Sequence, residues 1–184
     1  ADTVLVGPGL SCSDEAADLV QQVLENFEGI VVADADALNI CAKNTDWIKN
    51  SRAKIIITPH MLEMSRLSGL SVNELNADML KAAGDFSKDS GCITVLKNHC
   101  TVITTPDGAD FINTTGNEGM ATAGSGDVLS GIIAALAAQG LPAEKCAPLG
   151  VYIHGAAGDL AAKKKGVRGM LASDIIEGIN EVLN

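Results

Sequence analysis

Gly116-Asn117-Glu118-Gly119-Met120-Ala121-Thr122-Ala123-Gly124-Ser125-Gly126-Asp127 runs without a break into Val128-Leu129-Ser130-Gly131-Ile132-Ile133-Ala134-Ala135-Leu136-Ala137-Ala138. A glycine-dense loop thus feeds an apolar, Ala-rich segment that reads as a buried helix. Gly124 and Gly126 free the backbone to take unusual dihedrals and to approach a ligand closely. The first N–H groups of the helix lack internal partners, and the helix dipole makes that end attractive to anions, so a phosphate is the natural guest. Asp127 places a carboxylate at the same end. Two roles are open to it: an N-cap that closes the helix, or a general base that takes a proton from a hydroxyl beside a bound phosphoryl group.

The wider chain bounds what this loop can serve. At 184 residues it is long enough for one substantial core, and a single domain over residues 1–184 is expected. Apolar residues make up 47%, yet only three Phe, one Tyr and one Trp are aromatic, so the core is built of Ala, Val, Ile and Leu. A formal charge of −10 argues against nucleic acid or an anionic membrane surface as partner. It leaves a nucleotide open, which needs only a local anion site. The longest nearly uncharged apolar stretch, Val128 to Ala138, is shorter than the ~18 residues of a membrane span. The first residues read as a strand rather than a secretory leader. Cys12, Cys41, Cys92, Cys100 and Cys146 are odd in number and lack Cys-x-x-Cys spacing, so free thiols in a reducing cytoplasm are expected.

In chain order, Thr3–Val6 is a short apolar strand ended by the turn Gly7-Pro8-Gly9, and Ser13-Asp14-Glu15 caps a helix to about Phe27. Further buried strands are predicted at Ile30–Ala33, Lys54–Ile57 and Cys92–Lys97. Helices are expected over Asp46–Lys49, from Pro59 to Leu67, and from Asn73 to Phe86. Thr101–Thr104 and Ala109–Ile112 flank Pro106-Asp107-Gly108 and read as a β-hairpin. After the glycine loop, Pro142 opens a helical region running with interruptions to Lys165, and Ser173 or a neighbour caps a last helix to Leu183. Uniformly apolar strands separated by helices mean a mainly parallel sheet covered on both faces, a three-layer α/β/α fold.

In such a sheet, ligands sit beyond the carboxyl ends of the strands. Four successive strands here end in Gly7-Pro8-Gly9, in Asp34 with Asp36 and Asn39, in His60, and in Lys97-Asn98-His99. Singly, each has an ordinary explanation as a turn, a helix cap or a solvated strand end. Together, on one sheet edge with the glycine loop, they point to a site. Lys97 is placed to balance phosphate charge and His60 to hydrogen-bond a polar substrate group. Lys163-Lys164-Lys165 reads as a solvated helix end, Tyr152 and His154 as packed side chains, and Trp47 as a cover over the core.

Asn117-x-Gly-Met-Ala-Thr-Ala-Gly-Ser-Gly-Asp127-Val-Leu-Ser-Gly resembles the signature of the ADP- or ATP-dependent NAD(P)H-hydrate dehydratases, within the ribokinase-like superfamily. The resemblance extends, in order, through Gly7-Pro8-Gly9-Leu10, Asp34 to Asn39, Thr58-Pro59-His60-x-x-Glu63-Met64-x-Arg66-Leu67, Val95-Leu96-Lys97 and Arg168-Gly169-Met170-x-Ala172-Ser173-Asp174. It covers essentially the whole chain. What it implies is a repair enzyme that turns hydrated NADH or NADPH back into the cofactor by phosphorylating the ring hydroxyl and eliminating phosphate. ADP (or ATP) would be the phosphoryl donor, with Mg2+ accompanying it. By the same resemblance Asp127 is the base and lies against the hydrated dinucleotide. Lys97, Asn98, His99, Cys100, Thr101, Asn117, Gly124, Ser125 and Gly126 fall on the nucleotide side. Gly9, Ser11, Asp34, Asn39 and His60 fall on the substrate side.

Two positions depart from the family pattern: Ser11 and Asn98 stand where glycine is common. The family's domain also begins with further strands and helices, so this chain is expected to be the C-terminal portion of a longer protein. A homo-oligomer is expected by the same resemblance. Two rival readings stand beside the dehydratase: a ribokinase-like kinase for a small alcohol, using the same Asp127, and a non-catalytic nucleotide-binding module.

Overall fold

The computed structural model describes residues 1–184. Its centre is one sheet of six four-residue strands: β1 (Thr3–Val6), β2 (Ile30–Ala33), β3 (Lys54–Ile57), β4 (Ile93–Leu96), β5 (Thr101–Thr104) and β6 (Asp110–Asn113). They lie side by side in sequence order, with β1 through β4 parallel and β4–β5–β6 antiparallel. The hairpin is β5–β6, turning through Pro106-Asp107-Gly108 with Gly108 at φ 87°.

Strictly sequential strand order decides where the helices go. Right-handed crossovers that always step the same way leave every connecting helix on one face. α1 (Asp14–Asn26), α2 (Asp36–Cys41), α3 (Asp46–Lys49), α4 (Met61–Ser68), α5 (Val72–Ala77) and α6 (Met79–Ser90) connect the first four strands. They share the larger core with Val6, Val31, Ala33, Ile55, Ile57 and Leu96. The opposite face, with Val32, Ile56, Ile93, Val95 and Ile103, would be bare without the helices that follow the sheet. α7 (Ser125–Ala138) covers β1 and β2, α8 (Ala143–Lys165) covers β3 to β6, and α9 (Ala172–Val182) packs on both helices. The alternation of partners along Val31-Val32-Ala33 and Ile55-Ile56-Ile57 is the period-two pleat that makes both faces apolar.

Several boundaries differ from expectation. The helix expected from Asn73 to Phe86 is two helices broken at Asp78, which leaves helical geometry (φ −156°, ψ 82°) and caps α6 by accepting the Lys81 N–H at 3.0 Å. Pro59 does not open α4; His60 is its N-cap and Met61 its first residue. The region from Pro142 runs to Lys165 as one continuous helix that tolerates Pro148. Leu171, not Ser173, stands at the cap of α9, and the Asp174 carboxylate accepts its N–H at 2.8 Å. Tyr152 is 52% exposed rather than packed. Trp47 packs on the larger core, all five cysteines are free, and the lysines ending α8 are exposed, with Lys164 paired to Glu181. No helix is long and apolar enough to cross a membrane.

Candidate active site

The carboxyl ends of β1 to β4 and the start of α7 converge. Gly7 adopts φ 125°, and a Cβ there would overlap the carbonyl oxygen of Asp34, so only glycine lets the ends of β1 and β2 meet. Asp34 is buried. Its Oδ1 accepts the Ala35 N–H at 2.9 Å and pairs with Lys97 Nζ at 3.1 Å, across the intervening β3. Ala35 holds φ 50°, ψ −117°, an unfavourable conformation for a residue with a Cβ and the kind of strain that gathers at functional sites. Beyond it, Asp36 Oδ2 accepts the Ser11 N–H at 2.8 Å, with Ser11 also left-handed (φ 69°). The backbone N–H of Ser11 is therefore engaged with Asp36, while the neighbouring Gly9 is exposed. Asn39 donates to Ala35 O at 3.3 Å and accepts from Arg66 at 2.5 Å.

His60 sits at the end of β3 as a helix cap. Its Nδ1 accepts the N–H groups of Leu62 (3.1 Å) and Glu63 (3.2 Å), and Glu63 Oε2 accepts the His60 N–H at 2.8 Å. Because Nδ1 is an acceptor, the neutral ring carries its proton on Nε2. That atom lies 3.4 Å from Glu63 Oε1 on a half-exposed side chain. Glu63 was not among the expected site residues. It is buried, and desolvation pushes its carboxyl above the usual range against the pull of the His60 N–H and the Lys97 charge. The His60-x-x-Glu63 spacing signals a capping pair; the approach of Lys97, from another strand, has no local signal.

The glycine loop closes this edge. Gly124 (φ 85°) is the cap of α7, so Ser125, Gly126 and Asp127 are its first three residues. Asp127 therefore does not cap the helix: it stands exposed in the first turn. The N–H groups of Gly124, Gly126 and Asp127 make no hydrogen bond within the protein. A Cβ on residue 126 would lie 3.5 Å from Lys97 Nζ and 4.0 Å from Asp34 Oδ2, which places the open helix end directly over the ion pair. An ammonium, a helix N-terminus and free N–H groups in one spot are what a phosphate requires.

The remaining expected residues are arranged in two ways. Lys97 to Cys100 forms the turn from β4 into β5 at the same sheet edge, and Thr101 begins β5. There Asn98 Nδ2 is tied to Asn76 Oδ1 at 3.0 Å, His99 is exposed and Cys100 is half-buried. Asn117 has its amide spent on Gly158 O, Asp159 and the Gly119 N–H. Ser125 is buried, with Oγ 3.3 Å from His154 Nε2 on α8. Burial holds the His154 imidazole neutral, its pKa lowered from 6.5 to about 4.

A model of the NAD(P)H-hydrate dehydratase family matches residues 1–181. The chain belongs to that family. Among relatives, it is 45% identical over 182 residues to the bifunctional NAD(P)H-hydrate repair enzyme Nnr of Moorella thermoacetica, covering 99% of this chain and 34% of that protein. It is 40% identical to the ADP-dependent (S)-NAD(P)H-hydrate dehydratase of Neisseria meningitidis serogroup B, covering 93% of this chain and 59% of that protein. Among solved structures, the ADP/ATP-dependent NAD(P)H-hydrate dehydratase of Bacillus subtilis, co-crystallised with ATP and Mg2+, superposes with a TM-score of 0.88. At 29% identity that match covers 99% of this chain and 64% of that one. The chain thus spans about a third of the length of the bifunctional relatives. The expected ribokinase-like three-layer fold agrees with these neighbours, among them a ribokinase-like superfamily protein of Enterococcus faecalis at TM-score 0.85.

Proposed function

We propose that this chain is the catalytic dehydratase unit of a longer polypeptide, restoring NADH or NADPH from its hydrated form at the expense of ADP or ATP. The observation that carries the reading is the start of α7. Open N–H groups stand there beside the Lys97 ammonium, with the Asp127 carboxylate in the same turn of helix. The nucleotide's phosphates rest against Gly124, Gly126 and Asp127 N–H, with Lys97 offsetting their charge. Asp127 takes the proton from the ring hydroxyl as that oxygen attacks the terminal phosphorus, and the phosphorus–bridging-oxygen bond breaks. Phosphate then departs with the carbon–oxygen electron pair, the adjacent ring carbon releases a proton, and the ring double bond returns.

No group of three or more His, Cys, Asp or Glu side chains is arranged to hold a metal ion, so the chain offers no cage of its own for Mg2+. Magnesium enters this reading only as a companion of the nucleotide.

The domain itself is read as completed by polypeptide that precedes residue 1 in the longer form. β1 is an open sheet edge with Leu5 exposed. A separate groove of about 480 Å³ runs along α7 against α8 and α9, walled by Val128, Ile132, Leu136, Ile153, Ile176 and Ile179, with Asp127 in its wall. A homo-oligomer is part of the reading, consistent with the exposed Phe111 and Ile112 on edge strand β6. So is a cytoplasmic setting, consistent with the free thiols. The test is to incubate the full-length protein with enzymatically prepared NADH hydrate, Mg2+ and ADP or ATP, following the near-ultraviolet absorbance of regenerated NADH. Nucleotide-dependent recovery supports the reading. Absence of recovery, with nucleotide still bound, contradicts it.

A further inference from the structure

We propose that Asp159, on α8, is a positioning residue for the phosphate cradle, acting through Asn117; the inference rests on the nucleotide-binding reading of the glycine loop. Two small residues let that loop lie directly on α8. A Cβ at Gly155 would overlap Thr115, and one at Gly158 would overlap the Met120 side chain. Asp159 follows Gly158, and its carboxylate fastens the loop at two points: Oδ2 accepts the Gly116 N–H at 3.0 Å and Oδ1 accepts Asn117 Nδ2 at 3.0 Å. Asn117 also donates to Gly158 O at 3.0 Å and accepts the Gly119 N–H at 3.1 Å. Both ends of its amide are thereby used within the protein, and the 3-10 turn Glu118–Met120 is fixed in place.

A second post stands on the same helix. Ser125 Oγ meets His154 Nε2 at 3.3 Å where α7 begins. The segment between the posts, Ala121 to Gly124, is largely exposed and leads into the open N–H groups. The cradle is thus held at both flanks before any ligand arrives. A preorganised site keeps more of its binding free energy, because nothing has to be ordered when the phosphate docks. It also fixes the phosphorus relative to Asp127, which lies in the first turn of α7. The carboxylate is needed because it alone offers two acceptor oxygens to two separate donors.

Asp159→Asn keeps the shape but turns one acceptor into an amide that faces a donor. Titration with MgADP is expected to give a Kd raised about tenfold, the weight of one coupled hydrogen-bonded pair, with the far-ultraviolet circular dichroism unchanged. Asn117→Ala removes the amide that Asp159 holds and is expected to weaken MgADP binding to a similar degree, with Asp159→Asn adding little further loss in its presence, since Asp159 acts through Asn117. An unchanged Kd in Asp159→Asn, or losses that simply add in the double variant, overturns the proposal. A second measurement needs no variant: in the unaltered protein without nucleotide, the Gly116 and Gly119 amides are expected to exchange slowly, while Gly124 and Gly126 become protected only with MgADP. Rapid exchange at Gly116 and Gly119 overturns the proposal whether or not the variants fold. Failure of the unaltered protein to bind MgADP counts against the proposed function, and the exchange at Gly116 and Gly119 then decides the positioning claim alone.

Discussion

Lys97 Nζ lies 3.1 Å from Asp34 Oδ1, joining the carboxyl ends of β4 and β2 across β3, with Asp34 only 3% and Lys97 21% exposed. Each charge compensates the other in a place where neither is well hydrated. Lys97→Met is expected to leave the Asp34 carboxylate buried and unpaired, lowering stability by about 3 kcal/mol in urea denaturation. It is also expected to weaken MgADP binding at least tenfold, because the same ammonium faces the open end of α7. Unchanged binding would remove Lys97 from the phosphate site.

Gly7 and Asp34 set a second expectation. With φ 125° and the Asp34 carbonyl where a Cβ would stand, Gly7→Ala must shift backbone against backbone. A loss of about 2–4 kcal/mol is expected from denaturant titration, through strain and overlap together. Gly9→Ala, where a Cβ meets nothing within 4 Å but φ is 68°, is expected to cost less, on the order of 1 kcal/mol. Equal losses at both positions would show that overlap with Asp34 is unimportant.

His154 makes stability depend on pH. Its pKa is about 4 in the fold and near 6.5 when solvated, so the unfolded chain binds the proton more readily than the folded one between those values. Stability therefore falls as pH drops below 6.5, by about 2 kcal/mol on reaching pH 5, and levels off below pH 4. In His154→Gln that contribution is absent. Urea titrations of both proteins at pH 7.5 and pH 5 check this: the difference between them should shrink at the lower pH.

The strands were legible because each is a short apolar run stopped by a turn or a polar residue, as in Ile55-Ile56-Ile57-Thr58-Pro59. Helix ends were less so. Gly124, Ser125 and Asp127 are all plausible caps in sequence, and only the left-handed Gly124 shows that the helix starts early enough to leave Asp127 in the first turn. Asp78 broke a helix with no glycine or proline nearby, because a capping carboxylate can end one helix and begin the next. The site was visible as strand-end chemistry, from Gly7 to Lys97. What the sequence concealed were partners brought by long-range packing: Glu63 near Lys97, the Ala35 strain, and Asp159 beneath Asn117. Asn117 illustrates the point. It lies within the nucleotide signature, yet its side chain serves the loop and not the open N–H groups.

Asp127 is exposed in the first turn of α7, beside N–H groups that have no partner. Asp127→Asn removes the base while preserving size and the helix start, so the two jobs of this helix end can be separated. The measurement is paired: MgADP affinity by calorimetry, and the rate of NADH recovery from NADH hydrate, for unaltered and variant protein. Affinity within about threefold and a rate reduced by at least a hundredfold are expected, the usual range for losing a general base. Recovery at the unaltered rate in Asp127→Asn would contradict the assignment of the base.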